Sequence, residues 1–162
     1  MSNLYKNPVP TVDVIVEDNS RILMIKRKNE PYRGYLALPG GFVNEGEKIE
    51  DAARREINEE TSLNIDLVEI LGVYSDPKRD PRGHVMSTVF VGIILSDTDS
   101  GPLELTAGDD AEGIEWLTLE VLSNSNIAFD HKKILLDYKD WKVSGCTFWS
   151  SKVRPNIPMG EL

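Results

Sequence analysis

Between Glu47 and Glu60 the chain gathers five glutamates, directly behind the pair Gly40-Gly41, in the stretch "GGFVNEGEKIEDAARREINEETSLNI". The spacing of Ile49, Ala52, Ala53, Glu56, Ile57 and Glu60 is that of a helix over Lys48–Thr61. On such a helix Glu56, Glu59 and Glu60 project from neighbouring positions on one side, three and four residues apart. Ile49, Ala52, Ala53 and Ile57 form an apolar stripe opposite them, suited to packing on a sheet. One reading is a solvated acidic helix face. The other is chemical. Unneutralised carboxylates this close raise one another's pKa, and an oxygen-only cluster suits a hard divalent cation such as Mg²⁺. No Cys/His cluster accompanies it, which argues against zinc. The two glycines permit a tight turn and a close backbone approach to an ion or phosphate. Glu47, at the helix start, is placed where the dipole favours an anion and within reach of Arg55.

The rest of the chain supplies elements to hold this segment. "VDVIVED" and "RILMIKRK" read as two strands joined by a turn at Asp18-Asn19-Ser20. A short extended piece is expected at Tyr35–Leu38, and a longer strand over "LNIDLVEILGVYSD". "HVMSTVFVGIIL" is apolar on both faces, as expected of a central, buried strand. "GIEWL" is a short strand, "TLEVLSNS" a helical turn, and "AFDHKKILLDYKDW" an amphipathic helix. The order β, β, β, α, β, β, β, α implies an α/β chain whose sheet is covered by helices on its faces.

The 162 residues suit one domain, with residues 1–10 as an extended lead-in and 142–162 as a C-terminal tail. A net charge of −9 argues against nucleic acid or an anionic membrane as partner. It leaves room for a small anionic substrate met through bound metal. The single cysteine, Cys146, the lack of a signal-type N-terminus and the absence of a long apolar run lead to the expectation of a soluble, cytoplasmic protein.

The spacing Gly41, five residues, Glu47, seven residues, Arg55-Glu56-Ile57, one residue, Glu59-Glu60 resembles the signature of the Nudix hydrolases. Leu63 supplies its closing apolar position. The signature's last glycine is Ser62 here, at what should be the helix C-cap, where a left-handed conformation costs serine more than glycine. The resemblance implies a Nudix-type α/β/α sandwich with a mixed β-sheet, and metal-dependent hydrolysis of a nucleoside diphosphate linked to another moiety. It implies Mg²⁺ (or Mn²⁺) held by Glu56, Glu59, Glu60 and the Gly40 carbonyl, with Arg55 and Glu47 as orienting residues. Family members commonly add a glutamate from a later loop, as metal ligand or base, and "TAGDDAEGIEWL" offers Glu112.

"NEPYRGYLALPGGFVNEGE" and "GVYSDPKRDPRGHVMSTVF" resemble the ADP-ribose pyrophosphatase branch, with ADP-ribose giving AMP and ribose 5-phosphate. The loop "DPKRDPRGH" puts Arg79, Arg82 and His84 forward for phosphate or ribose, or else as members of Asp–Arg pairs that hold the loop, with His84 capping the next strand. Phe42, Tyr32, Tyr35 and Tyr74 are candidate faces for an adenine. His131, Cys146 and the tail read as structural. The alternatives are another nucleotide substrate (an oxidised nucleoside triphosphate, a dinucleoside polyphosphate, a nucleotide sugar) and a non-catalytic ADP-ribose-binding regulator. The intact carboxylates argue against the regulator. A homodimer is common among enzymes resembling this branch.

Overall fold

A computed structural model of the chain describes residues 6–95 and 111–152; for Ala111 and Glu112 it describes the backbone alone. The elements in chain order are β1 (Val9–Asp18), β2 (Arg21–Arg27), β3 (Leu36–Ala37), β4 (Gly40–Phe42), α1 (Ile49–Thr61), β5 (Ile65–Tyr74), β6 (Val85–Ile94), β7 (Ala111–Leu117), α2 (Leu119–Ser123), α3 (His131–Ser144) and β8 (Phe148–Trp149). The strands join into one mixed sheet in the order β3-β2-β1-β6-β5-β8, with β4 added on β1 and β7 on β2. β1 runs parallel to β6 and antiparallel to β2 and β4.

Period-two alternation explains the three layers. Val12, Val14 and Val16 of β1, Leu23 of β2 and Phe90 of β6 pack with Ala52, Ala53 and Ile57 of α1. Their sequence neighbours Ile15, Ile22, Met24, Val89 and Val91 turn to the other face and pack with Leu122 of α2 and Ile134, Leu135 and Tyr138 of α3. The sheet is thus covered on both sides, as the sequence order implied. Among the described residues no helix is long and apolar enough to cross a membrane.

Several boundaries differ from the sequence reading. β6 is central, but it is not buried along its whole length, since Met86 and Ile93 face outward. α3 takes in Lys142–Ser144, and Phe148–Trp149 pairs in parallel with β5, so the expected tail begins as structure. β1 begins at Val9, inside the expected lead-in. The Gly40–Phe42 turn is itself a strand, on the first half of β1. That pairing demands glycine. A Cβ on Gly40 would lie 2.1 Å from the Val12 carbonyl oxygen. Glycine-rich sequence looks like a turn because the reason for the glycine, a backbone on the adjacent strand, is far away in the chain.

Helix α1 ends where expected. Ser62 is its C-cap in the left-handed region (φ 60°, ψ 14°), with its N–H bonded to the Asn58 carbonyl. Ser62→Gly should therefore stabilise the fold, by up to about 1 kcal/mol and hence roughly 2–4 °C in Tm. A thermal melt with a lower midpoint than wild type would count against strain at this cap.

Candidate active site

Glu56, Glu59 and Glu60 on α1 sit where local physics opposes them. Asp51 and Glu50 occupy the first turn, where the helix dipole welcomes negative charge, yet Glu59 and Glu60 lie near the C-terminus and no basic residue occupies the last turn. A cluster of carboxylates at the negative end of a helix is costly unless cations meet it. Arg55 is the cation the chain itself provides. Its Nε donates to Glu47 Oε1 at 2.8 Å and one terminal nitrogen to Glu47 Oε2 at 2.9 Å. The same nitrogen reaches the Phe42 carbonyl at 3.0 Å, and the other reaches Glu56 Oε1 at 2.7 Å and Glu59 Oε2 at 3.1 Å. All five guanidinium donors are used.

Charge in the cluster follows from these contacts. The hydrogen bonds from Arg55, and then the Asn44 backbone N–H, hold the Glu47 carboxyl at about 2. Burial pushes Glu56 the other way, up from the ordinary carboxylate range; Arg55 opposes the rise, while Glu59 and Glu47 add to it. Glu60 Oε2 accepts the Gly40 N–H at 2.9 Å. Gly41 has no room for a side chain, because a Cβ there would fall 2.5 Å from the Glu56 carboxyl. The strand β4 therefore lies directly against the carboxylate cluster.

On its other side the same strand borders a cleft lined by Gly40, Gly41, Phe42, Arg27, Arg82 and Phe129, among others. The Arg82 side chain is 46% exposed and makes a two-pronged pair with Asp80, with contacts of 2.7 and 3.0 Å. Its guanidinium carbon lies 5.4 Å from the centre of the Phe42 ring. Arg79 also lines the cleft, but its side chain is 5% exposed and committed to carboxylates, at 2.8 Å from Asp130 and 3.4 Å from Asp13. Asp13 is buried beneath β4. Burial would push it up, but His131, Arg79 and Ser87 outweigh burial and hold it at about 2. The His131 ring completes this buried group, with Nδ1 accepting the Leu38 N–H at 2.9 Å and Nε2 at 3.3 Å from Asp13 Oδ1.

The structure thus brings Gly40, Phe42, Glu47, Arg55, Glu56, Glu59 and Glu60 together, with Arg79 and Arg82 across the cleft. It leaves His84 outside the cleft lining, with Nε2 3.1 Å from the Ser75 carbonyl oxygen, so that the ring ties the two ends of the Asp76–Gly83 loop. Tyr74 is fully buried with its hydroxyl on Asp137, which removes it as a face for a base. Glu112 begins β7, but its side chain, like Asp109 and Asp110, lies outside the described residues. Phe129, Arg27 and Asp13 were not singled out from the sequence. Each is separated from the glutamate segment by more than ten residues and carries no motif spacing.

Among the described residues no three His, Cys, Asp or Glu side chains are grouped so as to hold a metal ion. Glu56 and Glu59 lean on Arg55, and Glu60 on Gly40. The chemistry of the set nonetheless fits Mg²⁺ or Mn²⁺: carboxylate and carbonyl oxygens, no sulfur, and a helix end that calls for positive charge.

A family model described as the NUDIX domain matches residues 7–138. An ADP-ribose pyrophosphatase of Methanocaldococcus jannaschii is 50% identical over 139 residues, covering 86% of this chain and 78% of that protein. A MutT/nudix family protein from Enterococcus faecalis superposes with a TM-score of 0.75 at 31% identity, over 89% of this chain and 65% of that one. A bifunctional NMN adenylyltransferase/ADP ribose pyrophosphatase from Francisella tularensis, complexed with AMP and Mn ion, gives a TM-score of 0.68 at 30% identity, covering 85% of this chain but only 42% of that protein. Sequence signature, three-layer fold and relatives agree: the chain belongs to the Nudix family of hydrolases.

Proposed function

We propose that this hydrolase cleaves the diphosphate of ADP-ribose, in a reaction that requires Mg²⁺ or Mn²⁺, giving AMP and ribose 5-phosphate. The observation that carries the reading is the double role of β4: Gly40 and Gly41 touch the carboxylate cluster on one side, and Gly40–Phe42 line an arginine- and aromatic-bearing cleft on the other. A diphosphate laid along that strand would have its phosphorus atoms beside the glutamates and its nucleoside in the cleft. The 50% identity to an ADP-ribose pyrophosphatase supports the choice of substrate.

In this reading Glu56, Glu59, Glu60 and the Gly40 carbonyl hold the metal, with Glu112 as a further ligand or base. When bound, the metal neutralises phosphate charge, orients water and lowers its pKa. Arg55 keeps Glu56 and Glu59 in place and is itself fixed by Glu47. Phe42 and Arg82 meet the nucleoside side of the substrate, while Arg79 and His84 frame the wall they stand on. A cytoplasmic location and a homodimer belong to the same proposal. The first is supported by Cys146, exposed and free of any disulfide. The second is supported by the outward-facing Val68, Ile70 and Trp149 along the β5 edge of the sheet.

The test is AMP release from ADP-ribose with Mg²⁺, set against a panel of nucleotide sugars, dinucleoside polyphosphates and oxidised nucleoside triphosphates. ADP-ribose should dominate. Faster turnover of another member would keep the reaction and replace the substrate. Binding of ADP-ribose without turnover of anything would point to a regulator instead.

A further inference from the structure

Phe129, like Arg27 and Asp13, is a cleft residue that no spacing pattern marks, and its backbone is the most informative about it. It sits in the left-handed region at φ 55°, a conformation that a bulky side chain adopts only at a cost. The neighbouring residues enforce it. Ile127 bridges to Leu36, the Ala128 N–H bonds the Leu36 carbonyl at 2.8 Å, and Asp130 is locked to Arg79. With the chain pinned on both sides, the Phe129 side chain lines the cleft while packing against the small core cluster of Ile25, Ala37 and Ala128.

What the ring meets there is chemically specific. Tyr32 abuts it edge-on, with centroids 5.0 Å apart, and fixes its tilt. The guanidinium of Arg27 lies 4.8 Å from its centre and that of Arg82 5.6 Å, and Arg82 is at the same time 5.4 Å from the Phe42 ring. A planar cation thus lies over two aromatic faces at the mouth of the cleft. Guanidinium and nucleobase are both flat and both stack on aromatic rings. Thr11, opposite Phe42 on β1, lines the same cleft, and its Oγ1 is the one buried side-chain polar atom without a hydrogen-bond partner among the described residues.

We infer that Phe129 is a substrate-binding residue: its ring, with that of Phe42, is the stacking face for the base of the nucleoside diphosphate, in the place where the Arg82 guanidinium lies in this structure. The inference rests on the proposed nucleotide substrate, and its test separates the two. ADP-ribose is titrated calorimetrically into the wild type and the Phe129→Leu, Phe129→Gly and Phe129→Tyr variants, with chelator present so that nothing is cleaved. The glycine variant adopts the left-handed backbone without strain, and so keeps the test available should the leucine variant fail to fold.

Loss of about 10- to 100-fold in affinity is expected for the leucine and glycine variants, with the tyrosine variant within about threefold of wild type. Wild-type affinity in the leucine and glycine variants would overturn the inference. So would a tyrosine variant as weak as the leucine one, because a phenol stacks as well as a phenyl ring. Wild type that binds but does not hydrolyse ADP-ribose would sink the proposed reaction while the titration still decides on Phe129. Wild type that binds no ADP-ribose would overturn both.

Discussion

Glu60→Gln should leave a protein that folds at least as well as wild type and turns over its substrate at least about 10³-fold more slowly. The two halves of this expectation come from the same geometry. Glu60 accepts the Gly40 N–H through one oxygen, and the amide oxygen of glutamine can do the same, so the link between α1 and β4 survives. Removing one negative charge from a crowded helix C-terminus relieves repulsion from Glu56 and Glu59 and the unfavourable dipole term. The charge change by itself favours the fold. Function loses an anionic oxygen from the set that would hold the metal. Metal stabilisation of transition-state charge is worth several kcal/mol, and each 1.36 kcal/mol is tenfold in rate. Mn²⁺ binding, followed by calorimetry on the same variant, should weaken by about 100-fold. A variant retaining activity within tenfold of wild type, or one that is inactive because it melts early, would remove Glu60 from the ligand set.

That opposition between stability and function is also why so much of the site was legible in the sequence. Carboxylates at helix spacing near a C-terminus break the rule that places acids first and bases last, and rules are broken locally where a function compensates. Glu47, Arg55, Glu56, Glu59 and Glu60 all lie within one short segment, so their spacing on a helix could be read directly. Ser62 was legible for the same reason, since a C-cap is a local matter. The cleft's far wall was not. Phe129 and Asp13 reach it by way of β1 and the start of α3, and only strand pairing and the Arg79 ion pairs decide that they meet. Arg79 shows the limit from the other side. A basic loop in an acidic chain reads equally as a phosphate site or as a loop held by Asp–Arg pairs, and only burial shows Arg79 as a strut between Asp13 and Asp130. Tyr74 fails in the same way: an aromatic on a strand faces cleft or core according to register alone, and here it faces Asp137. Gly40–Phe42 became a strand because β1 was available to pair with it, which no local signal announces.

Arg55→Lys keeps the charge and should still fail, because the arrangement depends on a planar fork rather than on a cation. Five donors serve Glu47 twice, Glu56, Glu59 and the Phe42 carbonyl. Lysine has three donors on one atom and cannot span these partners. In metal-free protein the lysine variant should melt roughly 4–8 °C lower at neutral pH, less than the loss of a fully buried pair would cause, since the Arg55 side chain is 26% exposed. The pH dependence of that deficit fixes its origin. Glu47 is held at about 2 in the fold, against an ordinary 4.5, so its pairing adds stability above about 4.5 that is lost as pH falls through about 2. Glu56 is raised, so its burial costs stability above its folded pKa and costs nothing below the ordinary value. Removing the guanidinium weakens the first contribution and deepens the second. Both changes act at neutral pH and vanish in acid, so the gap between wild type and variant should close as pH falls from about 5 to about 2. Activity should drop by about 10²-fold, the scale of a misplaced catalytic group. A melting deficit that stays constant with pH would mean that Arg55 acts through packing alone, and the guanidinium would then have no part in setting the charge of the site.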